Sequence, residues 1–389
     1  MSSDDPVQPQ LLLETAVLLA ELGERSTAEG LLSQASRAAR YADDRAVEWR
    51  ARLVRTRLAF ADMPDQESLE TLRETADSAV SALRELGDDV GLAWAWSARV
   101  VVRRHRGHFA AAANAAERAA EHARRAGRDR DEVAALRDVA RAIVDGPTPV
   151  RDAMGRCEGV LSAVRGRRPA EQEVATTRAV LMARGGAVDE ARTVAASSVE
   201  EVEDLGLERD LAMCLLRSGQ IEVYGQELRT AERLMRQALE HADRVAEPGL
   251  HAEIAASLAH VAIEVRDLHG ALEFTEMADQ DGAPGDLWTQ VRWRSARAKV
   301  LAKEGRPDEA KALARQAVQL ADQTDLIDLR ASALLDLAEV LRLTERPNEA
   351  VPFARRALRT LERKGAEAPA TRARALLEEI EPRSAERAG

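Results

Sequence analysis

The chain has 389 residues and a formal net charge of −11, so it lacks the generally basic surface that binds phosphate backbones, and DNA and RNA are excluded as main ligands. Hydrophobic residues make up 45% of the sequence but aromatic residues only 3%, so alanine and leucine must fill the interior. Because small side chains let helix backbones approach closely and alanine has the highest helix propensity, this composition favours an all-α fold over one built from sheets.

The first residues and the cysteines indicate where the protein is found. Residues 1–6 include two aspartates where a secretory signal is basic, and no apolar run approaches the ~18 residues of a membrane span. We therefore expect a cytoplasmic protein that does not contact membranes. Cys157 and Cys214 do not form a CxxC pair, so we expect two buried thiols rather than a disulfide or a zinc site.

A helix–turn–helix signature recurs along the chain and is clearest at residues 305–310. Gly305 can adopt the left-handed conformation that ends a helix, and Pro307 fits the first turn of the next one. Asp308 and Glu309 complement the positive amino-terminal end of that second helix. Apolar residues then recur at i, i+3, i+4, i+7 and i+8, which predicts a helix hairpin with one buried stripe.

Ala310, the last residue of this motif, has counterparts about every 40 residues along the chain. Small residues at these positions mark where a neighbouring helix must come close. Intervals of 40, 40, 39 and 40 residues separate Ala191, Ala231, Ala271, Ala310 and Ala350. Nearer the amino terminus the intervals are less regular, and the corresponding residues are Ala28, Leu72, Ala112 and Ala153. We refer to these nine positions as the anchor residues.

In chain order, the anchor residues predict nine antiparallel hairpins, and one final helix follows them. The hairpins are expected at 11–42, 45–86, 88–126, 129–165, 169–205, 207–246, 249–281, 286–323 and 325–363. The final helix, near 368–381, has no partner helix and is expected to cap the open apolar face of the last hairpin.

The regularity of the pattern divides the chain into segments. Residues 10–165 are predicted to form irregular repeats and residues 166–364 regular ones, with irregular connections at 146–149 and 165–169. The remaining segments are a disordered tail at 1–9, the capping helix within 365–382 and a second disordered tail at 383–389.

The repeats resemble those of the tetratricopeptide family. In the last unit, the spacing of the family is matched by Leu334, Leu337, Ala338, Leu341, Ala350, Ala354 and Ala357. The units depart from the family in lacking most of its aromatic residues and in exceeding its ~34-residue period. Long, alanine-rich repeats of this kind are similar to the helical sensor tails of bacterial signalling ATPases, transcriptional activators and class III nucleotide cyclases. The resemblance implies a right-handed superhelical solenoid that scaffolds proteins or senses ligands, without ATPase or cyclase activity.

Motifs for catalysis are absent from the sequence. It contains no phosphate-binding loop, no nucleophile elbow and no HExxH zinc motif. His105 and His108 lie three residues apart at a predicted helix end, and we interpret them as part of a solvated terminus rather than as metal ligands. We therefore predict a protein that is not an enzyme and that holds no cofactor or metal ion.

Candidate binding residues come from the resemblance, since the family binds its partners on the concave face formed by the first helix of each hairpin. The matching positions in this sequence are Arg292, Lys299, Arg342, Glu339, His260, Trp94 and Arg104. A basic cluster of Arg292, Lys299 and Arg342 would suit a carboxylate or an acidic peptide, and the alternative is ordinary solvated groove charge. Of the tryptophans, only Trp94 is expected to be exposed for binding, and Trp96, Trp288 and Trp293 are expected in the core.

Two functions remain open from the sequence. The first is a non-catalytic scaffold or regulatory module that binds a protein or peptide segment in its concave groove. The alternative is a small-molecule or peptide sensor domain of a bacterial signalling or transcription system. Self-association through the end faces of the repeats, which would give a homo-oligomer, also stays open.

Overall fold

A computed structural model of the chain describes residues 8–245 and 247–381, and within them it contains nineteen α-helices. In chain order these are Pro9–Glu21 (α1), Arg25–Tyr41 (α2), Arg45–Asp62 (α3), Gln66–Leu86 (α4), Asp89–His105 (α5), Phe109–Arg125 (α6), Asp129–Asp145 (α7), Val150–Ala163 (α8), Arg168–Arg184 (α9), Val188–Asp204 (α10), Glu208–Tyr224 (α11), Leu228–Val245 (α12), Pro248–Glu264 (α13), Leu268–Asp281 (α14), Leu287–Lys303 (α15), Pro307–Ala321 (α16), Ile327–Leu343 (α17), Pro347–Lys364 (α18) and Glu367–Ile380 (α19).

The predicted all-α helical-repeat fold is confirmed. The helices fall into nine successive pairs followed by α19, and every pair begins and ends within two residues of a predicted hairpin. All nine anchor residues are fully buried at 0% exposure. Leu72 and Ala153, which anchor the less regular units, are therefore as deeply packed as the alanines of the regular ones.

The turn between α15 and α16 follows the predicted chemistry. Gly305 adopts a φ of 77°, and α16 begins at Pro307 with Asp308 and Glu309 in its first turn. In the degenerate repeats, non-glycine residues occupy the position of Gly305 and still adopt a positive φ; these are Gln226 at 62°, Arg266 at 67° and Glu345 at 61°. Since such residues avoid this region by themselves, helix packing imposes the turn.

The chain divides into two compact units. In unit 1, which comprises residues up to 103 and residues 111–138, α1, α2 and α3 enclose a core around Leu13, Leu32 and Val47. Arg50 on α3 adds polar links in this unit, because its guanidinium donates to the Asp88 carboxylate at 2.7 and 2.8 Å.

Unit 2 comprises residues 104–110 and everything from residue 139 onward, and its first and last hairpins meet. Val150 at the start of α8 packs in one apolar cluster with Leu361, Ala366 and Ala370 from the last hairpin and α19. The Lys364 ammonium group also donates to the carbonyl oxygen of residue 146 at 2.7 Å. The repeats of unit 2 therefore close around an interior space.

Both cysteines are buried, as expected from the sequence. Burial raises the pKa of Cys157 to about 12, so it remains a thiol. No helix in the described parts of the chain has the length and apolar character needed to cross a membrane. The predicted tail 383–389 lies outside the described residues, as does 1–7 of the other tail, while α1 begins at Pro9. The division of the repeats at residues 165–166 stays a prediction.

Replacing Ala191 with leucine tests whether the anchor positions hold the repeats together. Ala191 is fully buried on α10, so the larger side chain should force helices apart and lower the free energy of unfolding by about 1–3 kcal/mol. Urea denaturation followed by circular dichroism measures the loss. The control is Ala196→Leu at an exposed position of the same helix, where a change within about 0.5 kcal/mol is expected. Equal losses in the two variants would contradict the anchor role.

Candidate ligand-binding site

A cavity of about 440 Å³ lies inside unit 2. Its wall is built from the first helices of five successive hairpins, α9, α11, α13, α15 and α17, together with α19. Residues that line it include Arg184, Tyr224, His260, Trp288, Arg292, Ser332, Asp336 and Arg372. The volume falls within the range of about 300–1,000 Å³ that is typical of pockets for small ligands.

Helix α17 shows how the sequence positions this wall. Its lining residues Asp328, Ser332, Leu335 and Glu339 are spaced by three or four, so they share one face of the helix. The opposite side of α17 carries the apolar residues of the repeat core, such as Leu337. Helix α17 therefore has a buried stripe toward its neighbours and a largely polar stripe toward the cavity.

Helix α19 does more than cap the last hairpin. Its alanines at 370 and 373 pack into the apolar cluster of that hairpin, while Arg372 and Glu379 lie on the cavity side. The Arg372 guanidinium pairs with the Glu264 carboxylate of α13, and Glu379 lies 3.6 Å from the Arg342 guanidinium. The last helix thus supplies one wall of the cavity and is held by ion pairs to α13 and α17.

Lys299 is buried beneath the cavity wall, with only 1% of its side chain exposed. Its ammonium group lies 3.0 Å from Asp336, 3.6 Å from Glu264 and 3.9 Å from Glu339. Burial alone would lower the pKa of Lys299, but these carboxylates outweigh it and raise the pKa, so the side chain is charged. Lys299 therefore links α13, α15 and α17 instead of facing a ligand.

Asp336 is the main counterion in this cluster. Burial acts to raise its pKa, but Lys299 and the neighbouring positive charges hold the pKa at about 2. Asp336 is consequently ionised at neutral pH. The charges of Lys299 and Asp336 neutralise each other inside the protein, where an isolated charge would be costly.

A second ionic cluster joins the two ends of unit 2. The Asp328 carboxylate lies 2.7 Å from the Arg184 guanidinium and also accepts a hydrogen bond from the Lys364 ammonium group. Arg184 donates further to the carbonyl oxygen of Val144 at 2.6 Å and to the Tyr224 hydroxyl at 3.2 Å. These bonds connect α7, α9, α11, α17 and α18 at one end of the cavity.

Arg292 differs from the other charged residues of the cavity. Its guanidinium carbon lies 5.5 Å from the centre of the Trp288 ring, one helical turn away on α15. Its Nε atom, like that of Arg342, is buried and has no hydrogen-bond partner among the described residues, but Arg292 also has no carboxylate within 4.0 Å, whereas Arg342 has Glu379 at 3.6 Å. Burial lowers the pKa of Arg292, although a guanidinium keeps its charge at neutral pH.

His260 holds the backbone at this point. Its Nε2 lies 3.0 Å from the carbonyl oxygen of Arg292, and because a carbonyl can only accept, Nε2 carries the proton and donates. Burial, together with the charge of Arg292, places the pKa of His260 well below 6.5. The imidazole is therefore neutral at physiological pH.

The structure brings together four of the seven predicted site residues. Arg292, Arg342, Glu339 and His260 all line the cavity. Lys299 was wrongly expected on the groove surface, because the three carboxylates around it keep it buried.

Two predicted site residues lie away from the cavity. Trp94 lies in unit 1 and is half-buried, with its indole Nε1 donating to the Asp131 carboxylate at 3.1 Å. Arg104 belongs to unit 2 but is absent from the cavity lining; burial raises the pKa of the nearby Glu253, and the charge of Arg104 partly opposes that rise.

Some lining residues were missed from the sequence. Trp288 was assigned to the core, although its position four residues before Arg292 places both on the same face of α15. Trp96 and Trp293 are buried, as expected. The sequence did not indicate that Arg372 lines a cavity, because the repeat pattern does not show on which side the final helix packs.

The fold is a tetratricopeptide-like helical repeat, and residues 290–363 match the family model for the tetratricopeptide repeat. The crystal structure of Rap protein complexed with competence and sporulation factor is similar, with a TM-score of 0.65, 16% identity, and coverage of 92% of this chain and 99% of that one. NprR in complex with its cognate peptide NprX has a TM-score of 0.58 and 14% identity, over 91% of this chain and 99% of that one. The apo form of the quorum sensor NprR from B. thuringiensis has a TM-score of 0.53 and 13% identity, over 90% and 98%. None of the curated proteins matches the sequence. At these identities the likeness concerns the fold.

Removing the Lys299 ammonium group tests the structural role assigned to it. Lys299→Met leaves Asp336 buried without its nearest cation, and the free energy of unfolding should fall by about 3–5 kcal/mol. Asp336→Leu in the same chain should recover most of the loss. The control is Lys311→Met, which removes a pair with the exposed Asp308 and should cost about 1 kcal/mol or less. Similar losses from both lysine variants would refute the assignment.

The pKa of Asp336 predicts an acid dependence of stability. Because the folded state holds this pKa at about 2, against 3.8 for the ordinary group, its contribution is present above pH 4 and is lost as the pH falls toward 2. Urea denaturation of the wild type and of Asp336→Asn should show a gap that shrinks by about 2 kcal/mol between pH 5 and pH 2. A gap that does not change with pH would count against this account.

Proposed function

We propose that unit 2 is a non-catalytic receptor module that binds a short peptide segment in its central cavity. The observation that carries this proposal is the cavity itself, which is enclosed by the first helices of five hairpins and lined by both apolar and charged side chains. Similar folds support it, since Rap protein is complexed with competence and sporulation factor and NprR with its cognate peptide.

The dimensions and lining of the cavity favour a short segment over a folded partner. A volume of about 440 Å³ accommodates a few side chains rather than a protein surface. Val261, Leu329 and Leu335 offer contacts to apolar side chains, while Gln220 and Ser332 offer polar groups for a peptide backbone. Alternating contacts of this kind suit an extended peptide.

A regulatory role in the cytoplasm is the context that we propose for this binding.

The titratable groups beside the cavity already make structural bonds. The neutral imidazole of His260 donates its N–H to the carbonyl oxygen of Arg292, and Asp336 is the counterion of Lys299. These groups are committed to structural bonds, which supports a binding function over acid–base catalysis.

A small-molecule sensor is the second candidate, and the size of the cavity also favours it. The wall contributed by α19 encloses the space on a side that an open groove would leave free. A metabolite with apolar and anionic parts would match the same lining residues.

Selection from a phage-displayed library of random decapeptides tests the peptide proposal. The purified full chain should enrich peptides that bind it, and Ser332→Trp should abolish their binding because the indole fills the cavity. The matched control is Ser197→Trp, an exposed position on α10 outside the cavity, which should bind as the wild type does.

The outcome separates the two candidates. Peptides that bind wild type and Ser332→Trp equally would refute binding in the cavity. If no peptide is enriched but a metabolite library contains a compound that raises Tm in the wild type and not in Ser332→Trp, the sensor for small molecules replaces the peptide receptor.

A further inference from the structure

The charges that line the cavity are almost all paired with one another. Each of the following has a partner of opposite charge within 4.0 Å: Asp145, Arg184, Glu264, Asp328, Asp336, Glu339, Arg342, Arg372 and Glu379. Among the described lining residues, Arg292 is the exception, because no carboxylate lies within that distance of its guanidinium. The cavity therefore contains one positive charge that has no carboxylate partner within 4.0 Å among the described residues.

The surroundings of Arg292 leave its hydrogen-bonding edge available. The Arg292 guanidinium carbon lies over the Trp288 ring, 5.5 Å from its centre, and a cation–π contact of this kind does not use up the N–H donors. The buried Nε atom still lacks an acceptor. On the backbone side, His260 fixes the carbonyl of Arg292 and is itself neutral, so it cannot supply the missing negative charge.

We infer that Arg292, whose guanidinium lies over the Trp288 ring, binds a carboxylate of the ligand. A planar guanidinium donates two parallel hydrogen bonds to the two oxygens of a carboxylate. The acidic residues Glu264, Asp336 and Glu339 each already have Lys299 or Arg372 within 4.0 Å, whereas Arg292 has no carboxylate within that distance. The inference rests on the proposed function, because it assumes that the cavity receives a ligand.

The stability of the free protein provides one test. Because the folded state lowers the pKa of Arg292, it disfavours the charged form relative to the unfolded chain, and the unpaired charge costs stability at neutral pH. Arg292→Met should therefore raise Tm by roughly 2–4 °C in a unit of this size. The control is Arg297→Met on the same helix, which breaks a pair with Glu276 outside the cavity and should leave Tm unchanged or lower. A clear fall in Tm for Arg292→Met would assign Arg292 a structural role and overturn the inference.

Binding of two matched probes provides the second test. N-acetyl-L-leucine has a free carboxylate, and N-acetyl-L-leucinamide has the same side chain without that charge. The indole N–H resonance of Trp288, assigned with Trp288→Phe, reports binding of either probe by NMR titration. N-acetyl-L-leucine should bind the wild type about 10–100-fold more tightly than the amide, as expected for a charged hydrogen bond. The ratio should fall to about 1 in Arg292→Met and stay unchanged in Arg297→Met.

Several results would overturn the carboxylate assignment. They are equal binding of the two probes by the wild type, no binding of either probe, a preference that persists in Arg292→Met, or inorganic phosphate binding as tightly as N-acetyl-L-leucine. Arg292→Gln repeats the test with a second neutral side chain if Arg292→Met does not fold. The two proposals can fail separately: a selected peptide that binds in the cavity equally well as acid and amide refutes only the assignment of Arg292. A carboxylate preference that depends on Arg292, in a protein that enriches no peptide, refutes only the peptide receptor.

Discussion

Close contact between small side chains is the constraint on which the rest of this structure depends. A hairpin of two helices cannot bury its apolar stripe alone, so each one must stack on its neighbours. Fully buried alanines at most of the anchor positions let the helix backbones approach closely. The same stacking sets α9 beside α11, α13 beside α15 and α15 beside α17.

Ion pairs join helices around the interior of unit 2. Lys299 has partners on α13 and α17, and Asp328 has partners on α9 and α18. Buried ion pairs add little net stability, because desolvation offsets much of their attraction. Their geometric demands are strict, so we interpret these clusters as spacers that hold the helices around the cavity.

Arg292 and Lys299 show how tertiary structure separates residues that look alike. They lie seven residues apart on α15, and both occupy inward-facing positions of the repeat. Lys299 meets carboxylates from α13 and α17 and becomes part of the core. Arg292 meets an indole and no carboxylate, so its charge remains available. The indole comes from Trp288 on α15 itself, whereas the carboxylates that distinguish Lys299 from Arg292 come from the neighbouring helices α13 and α17.

The sequence by itself determined the fold class, the nine hairpins and their bounds to within two residues, because helix periodicity, turn residues and anchor alanines are local signals that agree with one another. Carrying the inward-facing positions of the resembling family onto the sequence also selected four residues that line the cavity. Only the tertiary structure decided that α19 supplies a wall, that Lys299 is neutralised and that Arg292 is not. Those outcomes depend on contacts between distant parts of the sequence, which no local pattern encodes. Lys299 and Asp336 are 37 positions apart, and Arg372 and Glu264 are 108 positions apart.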